Sequence, residues 1–362
     1  MEYTVRFEGV IRAVSPLATN PPGTPEGRAL PGQSNPPKPI PKATVLIDGT
    51  AVAMVPIFPG PGIRGTLRRK AVDVVRHALG GGGPVFLLDD HYYNVLGGVK
   101  GAEKEEKADL VAAAARRARN PIIGLFGAGE PWDRSRFYIG AGLPTKPISA
   151  EVIGGARIDD FVRSADALQL LPEDERARFL AMTEHNALRS AKRKQAEKLE
   201  RELRAADRKG AAPEDVAHLK AELNRLQKEV DDHAQAAFST VSVQRPLDGY
   251  EVIPAGTEMS HRMTLRLASL DEIGLAIAAL RYWSLDPFIG AHLAHGCGLV
   301  AGEWKASVRH GMAPQFEEIG LVSMRPFEGL DVPSWLADAE RTFMDRLGSG
   351  AFEFRAPSAQ RA

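Results

Sequence analysis

The sequence contains a single cysteine, Cys297, among 362 residues. One thiol excludes an intramolecular disulfide framework and a cysteine-based zinc cluster, and it is typical of a reducing compartment. No apolar run reaches the ~18 residues of a membrane span, and the charged opening MEYTVRFEG does not resemble a signal peptide. We therefore expect a cytoplasmic protein with no membrane partner.

The sequence also lacks an excess of charge of either sign, because Lys plus Arg and Asp plus Glu both number 46. A protein that wraps nucleic acid over its whole surface is basic, so any such binding here would come from local patches. With 44% hydrophobic and 25% charged residues, the composition is that of an ordinary globular protein. It fits either two domains or one large domain with an insertion.

Extended and helical segments alternate along the first part of the chain. Alternation of apolar and polar residues predicts a strand over 3–14, and nine prolines between Ser15 and Lys42 predict a long loop. The stretch ATVLIDGTAVAMVPIF predicts further strands. A turn at Pro59–Gly62 then leads into a helix that runs to about Leu79, where the run GGGG ends it.

Residues 173–237 differ in composition from the rest, with Ala, Glu, Lys, Arg and Leu dominating. Leucine and valine spaced 4-3-4 from Leu219 to Val230 form a helical seam, and Leu199 and Leu203 offer a facing row. The stretch KGAAPED provides a turn with Pro213 at a first-turn position. We expect an inserted antiparallel helical hairpin. Its basic cluster RSAKRKQAEK is either a solvated face or a contact for nucleic acid or a neighbouring subunit.

The last third returns to β-like sequence, in which Met263, Leu265 and Leu267 alternate with polar residues. Helices are expected over 270–283 and 331–347. The resulting order predicts an α+β fold in which two helices back one antiparallel sheet, with a core of residues 1–172 and 238–362 and the hairpin of 173–237 inserted.

Two glycine-rich stretches are candidate sites. In FPGPGIRGTLRR a helix start preceded by glycines exposes amide groups that suit phosphate, and Arg64 and Arg68 share a helix face. It is not a Walker motif, and a simple proline–glycine helix start is the alternative. In GAHLAHGCG, Gly290 to Gly298, glycines let backbone approach a sugar–phosphate chain beside two histidines.

Other chemistry is not indicated. His292 and His295 supply only half of a metal site, so we expect no metal or other cofactor. LLDDHYY, from Leu87 to Tyr93, points its carboxylates in different directions, which favours a structural or interface role. No serine–histidine–aspartate order, nucleophile elbow or paired carboxylates are present, and no catalytic residue is expected.

The order of the motifs resembles that of the RAMP superfamily of CRISPR proteins. FPGPGIRGTLRR is similar to its proline–glycine, Lys/Arg-Gly-x-x-Arg signature, GYEVIPAGTEMSHRMTL to its Glu-x-x-Pro-x-Gly-Thr strand, and IGAHLAHGCGLVAGEW to its glycine-rich loop. With DDHYYNVLGGVKG and the charged helical insertion, the sequence most resembles the backbone subunit of type IV systems.

This resemblance implies a ferredoxin-like, RRM-like palm that binds guide RNA (crRNA) and polymerises along it. The implied partners are the guide, a complementary target strand, further copies of the chain and other effector subunits, with a helicase as one candidate. A thumb-like insertion would come from the 145–172 or 237–250 flanks of the hairpin. The implied RNA-binding residues are Gly60, Gly62, Arg64, Gly65, Arg68, Arg69, His292, His295, Gly296 and Gly298.

The sequence departs from the family in two places. Pro61 and Gly62 stand where many relatives carry two serines, which leaves amides and arginines to bind phosphate. Relatives that cut target RNA use an aspartate in the loop after the first strand, but residues 15–47 hold no aspartate and Glu26 is their only acidic residue. Without a placed carboxylate nothing activates the attacking 2′-hydroxyl, so we expect binding without cleavage.

Two other functions fit the same residues. One is a target-cleaving endoribonuclease of type III kind, in which Glu26 or Asp48 replaces the usual aspartate. The other is a protein scaffold that binds through the helical hairpin and carries no nucleic acid. Co-purified RNA and cleavage at regular spacing separate the three possibilities.

Overall fold

We describe the protein from a computed structural model, in residues 2–19, 36–80, 85–98, 109–129, 133–158, 165–209, 212–236 and 244–357. The strands are β1 Tyr3–Ala13, β2 Lys42–Ile47, β3 Thr50–Pro56, β4 Phe137–Ile139, β5 Leu143–Pro144, β6 Glu151–Ile158, β7 Gln244–Val252, β8 Glu258–Ala268, β9 Val300–His310, β10 Glu317–Arg325 and β11 Gly329–Asp331. The helices are α1 Gly60–Gly80, α2 Leu88–His91, α3 Leu110–Arg119, α4 Pro121–Phe126, α5 Glu173–Lys209, α6 Pro213–Ala236, α7 Leu270–Ser284 and α8 Ser334–Gly348.

The main sheet has the order β11-β10-β9-β1-β8-β4, with β5 also paired to β8, and the pairings are antiparallel. Its four strands β1, β4, β8 and β9 stand in the order β9-β1-β8-β4, with α1 between β1 and β4 in the chain and α7 between β8 and β9. This β-α-β-β-α-β arrangement is the ferredoxin-like topology. The predicted α+β, RRM-like fold is confirmed.

One face of the sheet carries the core. Val5, Phe7 and Ile11 of β1 are fully buried and belong to one apolar cluster with side chains of α1, α4, α7 and α8. On the intervening positions of β1, Arg6, Glu8 and Arg12 are exposed. This alternation, read correctly from the sequence, leaves the other face of these strands charged.

Helix α7 starts where the sequence SLDE supplies a capping box. Ser269 Oγ accepts the amide of Glu272 at 3.3 Å, and Glu272 Oε2 accepts the amide of Ser269 at 2.8 Å. Close packing against α8 depends on Gly274, since a Cβ there would lie 2.3 Å from the carbonyl oxygen of Ala339. The helix predicted over 270–283 is thereby confirmed as a buried element.

Leu267 departs from the expected pattern in β8. Met263 and Leu265 are fully buried as predicted, but a register shift opposite β1 gives Leu267 a φ of 49° and brings Ala268 into the core in its place. A β-bulge of this kind inserts one residue and reverses the side-chain alternation beyond it. The expectation that Leu267 continues the buried row was therefore wrong.

The strands expected in ATVLIDGTAVAMVPIF form the antiparallel hairpin β2–β3, which turns at Asp48 and Gly49. The long proline-rich loop lies largely outside the described residues. Its described ends pair elsewhere in the fold: Leu17 bridges Ile253, and Lys38 bridges Tyr250.

The described residues form two compact units, and the second lies within Gly154–Asp248. It contains the antiparallel helices α5 and α6, which match the hairpin predicted over 173–237. Leu226 is buried on the predicted seam of α6, and Lys192 of α5 pairs with Glu229 of α6 at 2.7 Å. The flanks of the hairpin supply β6 and β7, which pair as a two-stranded ribbon.

In the described part of the chain, no helix combines the length and the apolar character that crossing a bilayer requires.

Candidate nucleic-acid interface

The glycines at the start of α1 serve close packing. Gly60 is buried, and a Cβ on it would lie 2.6 Å from the carbonyl oxygen of Ile139. The amide of Gly62 donates to the carbonyl of Pro59 at 3.0 Å, and its α-carbon lies against the ring of Phe58. The expectation that Gly60 and Gly62 offer free backbone to phosphate is therefore not supported by their surroundings.

Arg68 does not face solvent, contrary to the expectation that it clamps phosphate. Its side chain is 6% exposed, and its guanidinium donates to the carbonyls of Asn94 at 2.6 Å and Tyr93 at 3.1 Å. Burial, and after it the neighbouring charge of Arg64, lower the pKa of Arg68 to about 10. Arg68 stays charged at neutral pH, but its guanidinium forms these hydrogen bonds inside the protein.

Arg64 is half-buried and donates to the carbonyl of Phe126, and burial lowers its pKa. The sequence placed Arg64 and Arg68 on one helix face, which is correct, but that face is turned toward α4 and the segment that follows α2. Of the next two residues, Arg69 is exposed, whereas Lys70 is largely covered and lies over the ring of Tyr282. Lys70 pairs with Asp286 at 2.9 Å, while the guanidinium of Arg69 donates to the hydroxyl of Thr66 at 3.3 Å.

Arg68 holds a π-helical turn, Tyr92–Leu96, that follows α2. This turn ends at Gly97, whose φ is 82°; a Cβ at that position would lie 2.9 Å from the guanidinium. Asn94 completes the arrangement by donating to the carbonyls of Asp90 and Phe354 at 2.8 and 2.7 Å. These contacts agree with the structural role favoured for LLDDHYY.

The glycine-rich loop from Gly290 to Gly298 is shaped by positive φ angles. Gly290, at 87°, packs so closely on residue 18 that a Cβ would lie 2.1 Å from the carbonyl oxygen of Ala18. Gly298, at 97°, is buried, and a Cβ there would lie 2.5 Å from the carbonyl oxygen of Ile289. Gly296, at 81°, is exposed and has open space around it, so it alone of these three presents free backbone.

The two histidines of this loop form a cluster of three rings with Tyr250. Tyr250 lies parallel to His292 at 3.8 Å and 6° between planes, and His295 follows at 5.5 Å from His292. The hydroxyl of Tyr250 lies 3.5 Å from His295 Nδ1 and 3.8 Å from Cys297 Sγ. Burial, and after it the charges of His295 and Lys38, lower the pKa of His292, which favours the neutral form of its ring. His295 is the exposed ring of this cluster.

Tyr250 was missed by the sequence interpretation, although it stands at the start of GYEVIPAGT. Its position depends on β7, where the amide of Lys38 donates to Gly249 and the amide of Glu251 donates to Lys38. Nothing local in the sequence pairs residue 38 with residue 250, so only the folded chain shows that a tyrosine supports the histidines.

The two candidate motifs meet at one side chain. A Cβ on Gly62 would lie 3.1 Å from Cε1 of Phe58, and a Cβ on Gly290 would lie 3.1 Å from Cε2 of the same ring. Phe58 is fully buried and is anchored by paired backbone hydrogen bonds to Gly142. The helix start and the glycine-rich loop, distant in the sequence, therefore lie on either side of Phe58 at one end of the sheet.

Of the two acidic residues considered for cleavage, Glu26 lies outside the described residues. Asp48 is exposed in the turn of the β2–β3 hairpin, with a φ of 47°. Among the residues that the structure describes, no group of three or more His, Cys, Asp or Glu side chains could hold a metal ion.

No family model matches the chain, and no curated protein matches it. Among solved structures, the chain is similar to one from a structure described as "Type IV-B CRISPR Complex", at 14% identity and a TM-score of 0.39, covering 87% of this chain and 95% of that one. A TM-score of this size carries no functional argument.

Proposed function

We propose that this chain is a guide-RNA-binding backbone subunit of a CRISPR effector complex, of the type IV kind. Several copies bind along one guide, support its pairing with a target strand and do not cleave that strand. The observation that carries the proposal is the meeting of the two glycine-rich motifs around Phe58. Motifs that resemble one family in their order also come together in the fold.

Three exposed residues of the two motifs are suited to a nucleic-acid backbone and its bases. Arg69 is exposed on the outer side of α1, and His295 and Gly296 are exposed on the loop. A guanidinium binds phosphate, a glycine lets the sugar–phosphate chain approach, and an aromatic ring stacks on a base. We assign contact with the guide to these three residues. The surface that they form is supported from inside the protein by Arg64, Arg68, Gly60 and Gly298.

Low net charge is compatible with this function. Each copy would neutralise only a few phosphates, and many copies along one RNA add small patches into a continuous groove. The balance of 46 basic and 46 acidic residues also limits repulsion between neighbouring copies.

Extraction and sequencing of the RNA that co-purifies with the full chain tests the class directly. Guides derived from CRISPR repeats are the expected result. An absorbance ratio of pure protein, with no RNA extracted, would contradict the proposal and favour the protein scaffold.

Incubation of the assembled ribonucleoprotein with complementary RNA and Mg²⁺ tests the absence of cleavage. We expect intact target, because residues 15–47 hold no aspartate and Asp48 lies in a hairpin turn. Cuts at regular spacing that disappear in the variant Asp48→Asn would instead favour the endoribonuclease.

A further inference from the structure

A second basic site lies at the other end of strand β8. The glycine-rich loop leads into Leu299, whose carbonyl accepts from Val14, beside the start of β8. At the far end of β8, roughly 30 Å away along eleven residues, a cavity of about 360 Å³ opens between β4, α3 and Arg266. This volume falls in the range of small-molecule sites.

One wall of the cavity is apolar. It is formed by Leu110, Ala113 and Ala114 of α3 together with Ile123 of α4 and Leu267. Leu110 is 78% exposed, so this wall presents exposed apolar surface next to the opening. Such a wall suits the flat hydrophobic body of a ligand.

The lining is also basic, since it includes Arg117 of α3 together with Arg134, Arg136 and Arg266. Arg117 is neutralised by Glu272 at 2.6 Å, and Arg136 pairs with Glu2 at 2.9 Å. Asp133, the acid of the lining, is held by two hydrogen bonds from Arg116, at 2.9 and 3.1 Å.

Two arginines of the lining remain available. Arg134 and Arg266 are exposed, and neither has an acidic partner within the described part of the chain. The amide of Arg266 donates to the carbonyl of Arg136, two residues after Arg134, so Arg134 and Arg266 come from adjacent backbone segments.

Tyr138 stands beside these arginines on the edge strand β4. Its side chain is 42% exposed and lines the same cavity. The register pairs Tyr138 with Thr264, two residues before Arg266, so Tyr138 and Arg266 lie on the same face of the sheet. An exposed ring beside two free guanidinium groups offers stacking and phosphate binding within one site.

We propose that this cavity, which we name the β4 pocket, binds a nucleotide, with the phosphate on Arg134 and Arg266 and the base on Tyr138 and the apolar wall of α3. The ligand is either a free nucleotide or one nucleotide of a single strand. An acidic peptide would use the two arginines but would leave the tyrosine and the apolar wall without a role. The site does not depend on the guide-binding proposal, because it lies at the opposite end of β8.

Calorimetric titration of the full chain with AMP tests the pocket, with adenosine and inorganic phosphate as separate arms. We expect AMP to bind at least ~10-fold more tightly than either fragment, because base and phosphate act together. A hexauridylate that competes with AMP identifies a strand as the ligand, and AMP binding that hexauridylate does not displace identifies a free nucleotide. No AMP binding, or binding of a hexaglutamate peptide in its place, would overturn the proposal.

The double variant Arg134→Gln/Arg266→Gln should weaken AMP binding at least ~10-fold, and Tyr138→Ala should weaken it where Tyr138→Phe does not. Arg341→Gln is the matched control, since Arg341 is an exposed arginine on α8. Unchanged AMP affinity in the double variant would refute the site.

Protection of arginines in the wild-type protein from chemical modification gives a second readout, which does not depend on the folding of a variant. AMP should slow the reaction of Arg134 and Arg266 with phenylglyoxal, measured by mass spectrometry, and leave Arg341 unaffected. If AMP leaves the rates of modification of Arg134 and Arg266 unchanged, the proposal is contradicted.

Discussion

Arg68 and Arg69, adjacent on α1, do different work in this protein. Arg68 is buried and holds the carbonyls of Tyr93 and Asn94, whereas Arg69 is exposed beside the surface assigned to the guide. A helix turns 100° per residue, so neighbouring side chains reach different environments. The contrast supplies a test that separates folding from RNA binding.

We expect Arg68→Ala to lower the free energy of unfolding by about 2–4 kcal/mol, because two buried carbonyls lose their donor. Arg69→Ala should leave stability within about 0.5 kcal/mol. It should weaken RNA binding and reduce the slope of log K against log salt by about 1. Urea unfolding and RNA titration at several salt concentrations measure both, with Arg341→Ala as the exposed control. Equal RNA affinity for Arg69→Ala and wild type would remove Arg69 from the interface.

His261 couples stability to pH. Its ring is buried in β8 and accepts the indole N–H of Trp304 at 3.1 Å, and burial lowers the pKa of His261 from 6.5 to about 4. Because the unfolded chain binds the proton more tightly than the folded chain, stability is complete above pH 6.5 and is lost as the pH falls toward 4.

At pH 5 the wild-type protein should be less stable than at pH 7 by about 2 kcal/mol on account of His261. The variant His261→Asn keeps an acceptor for Trp304 and removes the titrating group, so its stability should change less over the same interval. Urea unfolding at the two pH values provides the comparison. A pH dependence equal to that of wild type would place the titrating group elsewhere.

At the scale of elements, the glycine-rich loop is fixed by its contacts with residues 15–18 and with Phe58. Its amides and carbonyls pair with this segment: Gly298 donates to Pro16 at 2.8 Å and Ala291 to Ala18 at 2.9 Å. The conformation of the loop is therefore fixed by the fold, and the loop supports the cluster of the Tyr250, His292 and His295 rings.

Two glycines of the loop make a matched pair. Gly290→Ala should destabilise the protein by more than about 2 kcal/mol and weaken RNA binding, because its Cβ would overlap the carbonyl of Ala18. Gly296→Ala meets only the strain of its left-handed φ, about 1 kcal/mol. Thermal unfolding and RNA titration distinguish the two variants. Equal losses of stability and RNA affinity would argue against the close packing of Gly290 on Ala18.

At the scale of the whole molecule, the balance of charge and the binding of several copies to one RNA act together. A chain with equal numbers of acidic and basic residues gains little affinity for RNA as a single copy, so binding should depend on several copies occupying one strand.

Light scattering of the protein mixed with RNAs of increasing length should show masses that rise in steps of one 39.1 kDa chain, plus the RNA. Raising the salt concentration should dissociate the longer assemblies, because each contact is electrostatic. A single protomer per RNA at every length would contradict the role as a backbone subunit.

Periodicity in the sequence determined much of the fold. It identified β1, α1, α7, α8 and the seam of the α5–α6 hairpin, because apolar residues repeat every two positions in a half-buried strand and every 3.6 in a packed helix. It failed at Leu267, where a bulge inserts one residue into the ladder. It also gave no sign of β10, which pairs with β9, or of β11, which pairs with β10, because these pairings are contacts between strands.

The sequence by itself also determined which residues are candidates for the guide surface, through residue type and motif order. Only the tertiary structure decided which of them face solvent: it buried Arg68 and Gly60, left Arg69, His295 and Gly296 exposed, and added Tyr250 to the histidines. The physical reason is that exposure of a side chain depends on which distant elements pack against it. Local sequence does not contain that information.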